Sequence, residues 1–140
     1  MKKIELYVKL VIPDTTAITA FHTLERMEAG VEKLERYEYY SFEGDFSEKF
    51  FDKIKKVDVL VNANKHDAFD HVEKGEATNV LVQDIKGGSG LLNTLRERLG
   101  LSEIKSMEKG VLWKIYGKAD MDKVKKLLHN ENYQKISILE

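Results

Sequence analysis

The chain has no cysteine, a single proline and only two glutamines among its 140 residues. Without cysteine there is no disulfide, no thiolate metal site and no cysteine nucleophile. An excess of one charge is also missing, because 23 basic and 24 acidic residues leave a formal net charge of -1. No overall field draws such a molecule to nucleic acid or to an anionic membrane, so neither is expected as a partner. Long apolar runs are absent too. The opening residues Met1 to Lys9 begin like a signal peptide, but Glu5 and Lys9 interrupt them, and no later stretch is long enough to span a bilayer. The expectation is a cytoplasmic protein. What remains is 42% hydrophobic and 34% charged, enough to bury a core but too short for two large domains. Abundant Lys and Glu with little Gln and no Cys fit a thermophilic source.

The main internal signal is repetition. Asp52-Lys53-Ile54-Lys55-Lys56-Val57 returns as Asp122-Lys123-Val124-Lys125-Lys126-Leu127. Thr23-Leu24-Glu25-Arg26 is echoed by Thr94-Leu95-Arg96-Glu97, Tyr37 to Gly44 by Gly110 to Gly117, and Asn62-Ala63-Asn64 by Asn130-Glu131-Asn132. Landmarks recurring in one order describe two copies of one unit, residues 1–74 and 75–140, joined in a single compact body.

Each copy reads as β-α-β-α-β. Ile4, Leu6, Val8, Leu10 and Ile12 alternate with more polar neighbours, as in a strand with one buried face. Pro13 stops that ladder, and Asp14 or Thr15 caps a helix with an apolar stripe at Ala17, Ala20, Phe21, Leu24 and Met27, ended by Gly30. Leu34 to Phe42 is a second strand. Asp45 and Glu48 resemble a capping box before a helix carrying Phe50, Phe51, Ile54 and Val57. Asp58 to Val61 is read as the end of that helix or an irregular exit, Ala68 to Glu73 as a third strand, and Lys74-Gly75-Glu76 as a turn. The second copy has a strand at Asn79 to Ile85 and a helix with Leu91, Leu92, Leu95 and Leu99 ended by Gly100. A strand region follows at Ile104 and Gly110 to Gly117, then a helix capped by Asp120 and a last strand at Ile136 and Ile138. Three strands under one helical layer leave an edge or a face uncovered, which pairing two copies relieves. The fold class is therefore α+β, a tandem duplication with its sheet backed by helices and a pseudo-twofold axis between the halves.

Several clusters are candidates for chemistry. The turn Lys86-Gly87-Gly88-Ser89-Gly90 could offer backbone N–H groups to a phosphate at a helix start, although it completes neither a P-loop nor a dinucleotide fingerprint. His66-Asp67-Ala68-Phe69-Asp70-His71 gathers imidazoles and carboxylates, but its spacing matches no standard metal site, and a polar loop entering a strand is the simpler reading. His22 has no evident nucleophile or acid partner. Tyr37, Tyr39, Tyr40, Trp113 and Tyr116 place large amphipathic rings on equivalent strands, which suits contact between halves or between copies of the chain. Base stacking is disfavoured without a basic groove. Lys53, Lys55, Lys56 and Lys123, Lys125, Lys126 read as the solvated faces of two helices. Neither a catalytic residue, a cofactor nor a metal is assigned, although an enzyme built from scattered groups such as His66, Asp70 or Glu43 would leave no local motif.

The order of strand, Asp or Gly turn, helix ending in Leu-Gly, strand with a Lys-Gly pair, helix and Asn-containing exit resembles the PurS subunit of phosphoribosylformylglycinamidine synthase, which is about half this length. The matching residues are Asp84, Gly87 to Gly90, Leu95, Leu99-Gly100, Lys109-Gly110, Leu127-Leu128 and Asn130 in the second copy. In the first they are Lys9, Pro13-Asp14, Leu24, Arg36, Leu60 and Asn62; the first copy lacks the Leu-Gly and Lys-Gly pairs. The resemblance implies a tandem form of a subunit that has no catalytic activity of its own. PurS-like subunits dimerise through their sheets and bridge a glutaminase to an ATP-dependent synthetase in purine biosynthesis. It also makes Lys86 to Gly90 a contact with a partner subunit, and leaves a regulatory small-ligand module as the alternative.

Overall fold

In the computed structural model, residues 2–73, 75–85, 89–129 and 134–139 are described. The elements run β1 (Lys2–Leu10), α1 (Thr15–Arg26), β2 (Lys33–Gly44), α2 (Phe50–Ile54), β3 (His66–Phe69), β4 (Thr78–Asp84), α3 (Ser89–Asn93), β5 (Ile104–Tyr116), α4 (Met121–Leu128) and β6 (Gln134–Leu139). All six strands join one antiparallel sheet in the order β3-β1-β2-β5-β4-β6. The fold is α+β.

Period-two alternation sorts the sheet into two unlike faces. Leu6, Val8, Tyr40, Phe42, Val80, Val82, Trp113 and Ile115 point to the helix-covered face and are buried. They divide into two clusters. Ala17 and Leu24 of α1 and Val124 of α4 pack over Val80, Val82, Trp113 and Ile115. Phe46, Phe50 and Ile54 around α2, with Leu95 and Leu101 beyond α3, pack over Leu6, Val8, Phe42 and Ile104. Among the described residues the opposite face carries no helix. There Tyr7, Tyr37, Tyr39, Leu81 and Leu112 form a third cluster, and Val72, from the connection between β3 and β4, packs on it.

That connection has to cross the helix-free face. It must carry the chain from the β3 edge past β1, β2 and β5 to β4, about 19 Å at strand spacing. Lys114 Nζ holds it by donating to the Glu73 carbonyl at 2.7 Å.

Local chemistry explains the better-formed helices. Asp14 accepts from the N–H groups of Thr16 and Ala17 at 3.1 and 3.2 Å, and Asp120 from Asp122 and Lys123 at 3.1 and 3.4 Å, so each satisfies two orphan donors. Glu28, at φ +56°, rather than Gly30, ends α1: its N–H donates to the Glu25 carbonyl at 3.0 Å and the Ala29 N–H to the Leu24 carbonyl at 3.1 Å. Gly30, at φ +78°, lies beyond that cap, where a Cβ would sit 2.5 Å from the Lys118 carbonyl oxygen. Gly110 serves close approach instead, since a Cβ would meet Val82 O at 2.4 Å.

Four further expectations are corrected. Asp45 and Glu48 form no capping box: α2 begins at Phe50 after Lys49, with no side-chain cap, and Asp45 N–H instead donates to the Glu103 carbonyl. The ring stack of Phe46 on Phe50, 4.1 Å between centroids, sets this entry. The third strand is His66–Phe69 rather than Ala68–Glu73, because pairing with β1 starts at Leu10↔His66 and the chain leaves the edge after Phe69. The third helix is not one regular helix to Leu99: α3 gives way to a π-helical segment, Thr94–Arg98, which fully buries Leu95 and leaves Leu99 48% exposed. Lys123 is not simply solvated, since its Nζ donates to the Met27 carbonyl at 2.8 Å and ties α4 to the end of α1.

Candidate functional site

The centre of the molecule is the β2–β5 ladder, which runs from Lys33↔Tyr116 to Gly44↔Ile104 with a register shift at Glu43/Gly44. All five ring residues singled out from the sequence lie on these two strands. Tyr40 and Trp113 face the helices, while Tyr37, Tyr39 and Tyr116 face the other way. The ladder brings Arg36 opposite Trp113, Tyr37 opposite Leu112 and Lys33 opposite Tyr116.

On the helix-free face these rings are held by carboxylates. Glu5 accepts from Tyr39 Oη at 2.7 Å and from Tyr7 Oη at 3.2 Å. Burial, followed by the Glu5 charge and hydrogen bonds, drives both tyrosines well above the ordinary phenol range, so they stay neutral donors. Glu35 sits at the second node. It accepts from Lys9 Nζ and from Tyr116 Oη at 2.9 Å, and Lys33 Nζ lies 3.7 Å away. Burial pushes its carboxyl upward, but the hydrogen bonds from Lys9 and Tyr116 and the charges of Lys9 and Lys33 outweigh that and leave it below the usual carboxylate range. Lys9 also lies over the Tyr37 ring at 5.4 Å. Further along the face, Gln83 Nε2 donates to Glu108 at 2.6 Å. On the helix side Arg36 donates to Asp14 through Nε at 3.0 Å and to Glu38 through Nη1 at 2.8 Å, joining the α1 cap to β2.

Sequence reasoning missed Glu5 and Glu35 as organising groups. The available signal was period-two placement: Glu5-x-Tyr7-x-Lys9 and Lys33-x-Glu35-x-Tyr37-x-Tyr39 each put charges and rings on one face.

The histidines are not gathered into one site. His66 Nδ1 accepts from Asn62 N–H at 3.0 Å, and His66 and Asp67 belong to β3 rather than to a loop. His71 contacts Asp70 at 2.6 Å with both side chains exposed, and His22 lies 3.7 Å from Glu25. His129 Nε2 is 2.9 Å from the Gln134 carbonyl. Among the described residues no group of three or more His, Asp or Glu is placed to hold a metal ion. Of the candidate turn, Lys86, Gly87 and Gly88 lie outside the described residues, and Ser89 and Gly90 open α3.

Concavities accompany these elements, three of them lined wholly by described residues. One of about 500 Å³ lies beneath α1, between Leu10–Phe21 and Glu32–Arg36. A second of about 480 Å³ lies between α1 and α4, walled by Thr15, Thr19, Thr23, Trp113, Leu127 and Leu128. A third of about 320 Å³ sits where the β3–β4 connection passes Tyr37 and Lys114.

No protein-family model and no curated protein matches the chain. Among the described residues no helix is long and apolar enough to cross a membrane.

Proposed function

We propose that the chain is a fused pair of β-α-β-α-β units acting as a non-catalytic assembly subunit of the PurS kind, bridging a glutaminase and an ATP-dependent synthetase in the cytoplasm. One observation carries the reading: the strand order. Numbered within each half, β3-β1-β2-β5-β4-β6 reads third-first-second, second-first-third, the order of a unit and its twofold mate joined through their second strands. The helix clusters support the same operation. The first helix of one half packs with the second of the other in both, α1 with α4 and α2 with the α3 region. Duplication joined by a shared sheet agrees with a family whose subunits dimerise through their sheets, and the Lys86 to Gly90 turn is the proposed contact with a partner enzyme.

The test is sedimentation of the purified chain mixed with the glutaminase and the synthetase encoded in the same genome, with glutamine and magnesium ADP present. Comigration of all three as one boundary is expected. Independent sedimentation under every combination of glutamine and nucleotide overturns the reading.

A second reading, a regulatory module with a small ligand between the halves, is favoured by the roughly 480 Å³ concavity between α1 and α4, which draws residues from both and falls in the size range of ligand sites. Thermal denaturation against nucleotides and amino acids separates the two, because a ligand-binding module is stabilised without any partner protein.

A further inference from the structure

The concavity beneath α1 is a fork in the sheet. β1 and β2 pair only from Lys2↔Gly44 to Val8↔Glu38. Beyond that point β1 stays with its other neighbour: Lys9 and Leu10 pair with Asp67 and His66, and Val11 N–H donates to the Lys65 carbonyl at 2.8 Å. β2 nevertheless remains a regular strand down to Lys33, held on its far side by β5 as far as Tyr116. Among the described residues, therefore, no strand lies against β2 between Lys33 and Tyr37 on the β1 side. A strand paired on one side only turns every second N–H and C=O toward the open side.

The walls of the fork complete the specification. Leu10, Ile12, Ala17, Ile18, Phe21 and Leu34 make it largely apolar, and Ile12 and Ile18 are 49% and 46% exposed at its rim. Its cations each face a carboxylate, Arg36 with Asp14 and Glu38, Lys9 and Lys33 with Glu35, and Glu32 and His22 also line it. What is left to offer a ligand is main-chain hydrogen bonding along one strand and apolar contact under one helix. That combination matches an extended polypeptide, and with Lys9, Lys33 and Arg36 each set against a carboxylate it holds no lysine or arginine in reserve for an anionic metabolite. From Lys33 to Tyr37 the edge is about 13 Å long, room for about four residues.

We propose that this fork is a strand-addition site. It takes an extended segment of a partner protein, antiparallel to β2 and in line with β1, with apolar side chains under α1 alternating with polar ones toward Lys9 and Glu35. The proposal goes beyond the assembly reading and does not depend on it. Comigration with the purine enzymes can fail while the fork still binds peptide, and the reverse.

The test uses the full chain, amide exchange by NMR, and a pool of capped hexapeptides with valine or leucine at every second position and threonine or lysine between. In the free chain, amides of alternate β2 residues between Leu34 and Arg36 should exchange fast while their neighbours are protected by β5. Added peptide should slow the fast ones about tenfold or more and shift only Leu10–Phe21 and Glu32–Arg36. Peptides N-methylated on alternate backbone nitrogens should not bind. Ile18→Lys, at an exposed position, should weaken binding about tenfold while leaving the thermal transition in place. Full protection of every β2 amide in the free chain overturns the proposal, as does the absence of any change at 32–36 with millimolar peptide. Equal binding of the N-methylated peptides also overturns it and identifies an ordinary apolar pocket.

Discussion

The two helix-covered clusters reach similar burial by different means. Under α1 and α4, both helices are amphipathic and capped by aspartate, and they are tied to each other by Lys123 on the Met27 carbonyl and by Asp120 N–H on the Ala29 carbonyl at 2.6 Å. Under α2 and α3, the α-helical pieces are five residues each. α2 has no side-chain cap and α3 runs on as a π-helical segment. Large side chains compensate: Tyr40, Phe42, Phe46 and Phe50 are all buried there, and Leu60 and Val61 reach the cluster from turns rather than from a helix. Regular backbone supplies order on one side, and bulky packing supplies it on the other. Short helices of this kind are stable only because of what they cover.

The contrast can be broken most severely on the aromatic side. Phe50→Ala, which also removes the stack on Phe46, should cost about 3–5 kcal/mol in chemical denaturation. A loss below about 1 kcal/mol would mean that α2 is not needed to close that cluster. On the capped side the backbone matters more. Asp14→Ala removes a cap and one partner of the 15% exposed Arg36 side chain, and should cost about 2 kcal/mol, against about 1 kcal/mol for Asp120→Ala, which removes a cap alone. Equal losses would show that the Arg36 contact is energetically silent.

Acid sharpens the comparison by acting on neither cluster. The Glu35 carboxyl lies on the helix-free face, and its folded pKa is below the unfolded one. Its contribution is therefore fully present above the ordinary value of 4.5 and is lost as pH falls through the lowered folded value. Denaturation of the wild type and of Glu35→Gln should differ at pH 7 and converge at low pH; a constant difference would contradict the role given to Lys9 and Tyr116. The smallest effect is expected at the discarded capping box, where Asp45→Ala and Glu48→Ala should each change stability by less than about 0.5 kcal/mol.

These same places mark how far the sequence could be read. β1, α1, β2, β4, β5, α4 and β6 were legible within a few residues, because alternation, helical stripes and the Asp14 and Asp120 caps are local signals. The failures share a cause. The Asp45-x-x-Glu48 spacing is a valid local cue overridden by a contact with Glu103, far along the chain. The π-helical segment buries Leu95 in a cluster that draws on β1, β2, α2, the turn at Leu60 and Val61, and the start of β5. β3 was misplaced because its limits follow pairing with β1. For the site, the rings on β2 and β5 could be nominated from composition. That Glu35 joins Lys9 to Tyr116 could not, since no spacing rule reaches 81 residues.

The same distance governs how the molecule can be made. β1 and β2 can form a hairpin-like pair early, but the other edge of β2 finds its partner only when β5 is available, and bringing such remote segments together is slow. During synthesis a twelve-residue strand bearing Tyr37, Tyr39, Tyr40 and Phe42 therefore waits with one ladder unfilled, past the completion of the whole first half. The seam that unites the finished sheet is, for the nascent chain, the surface most in need of protection.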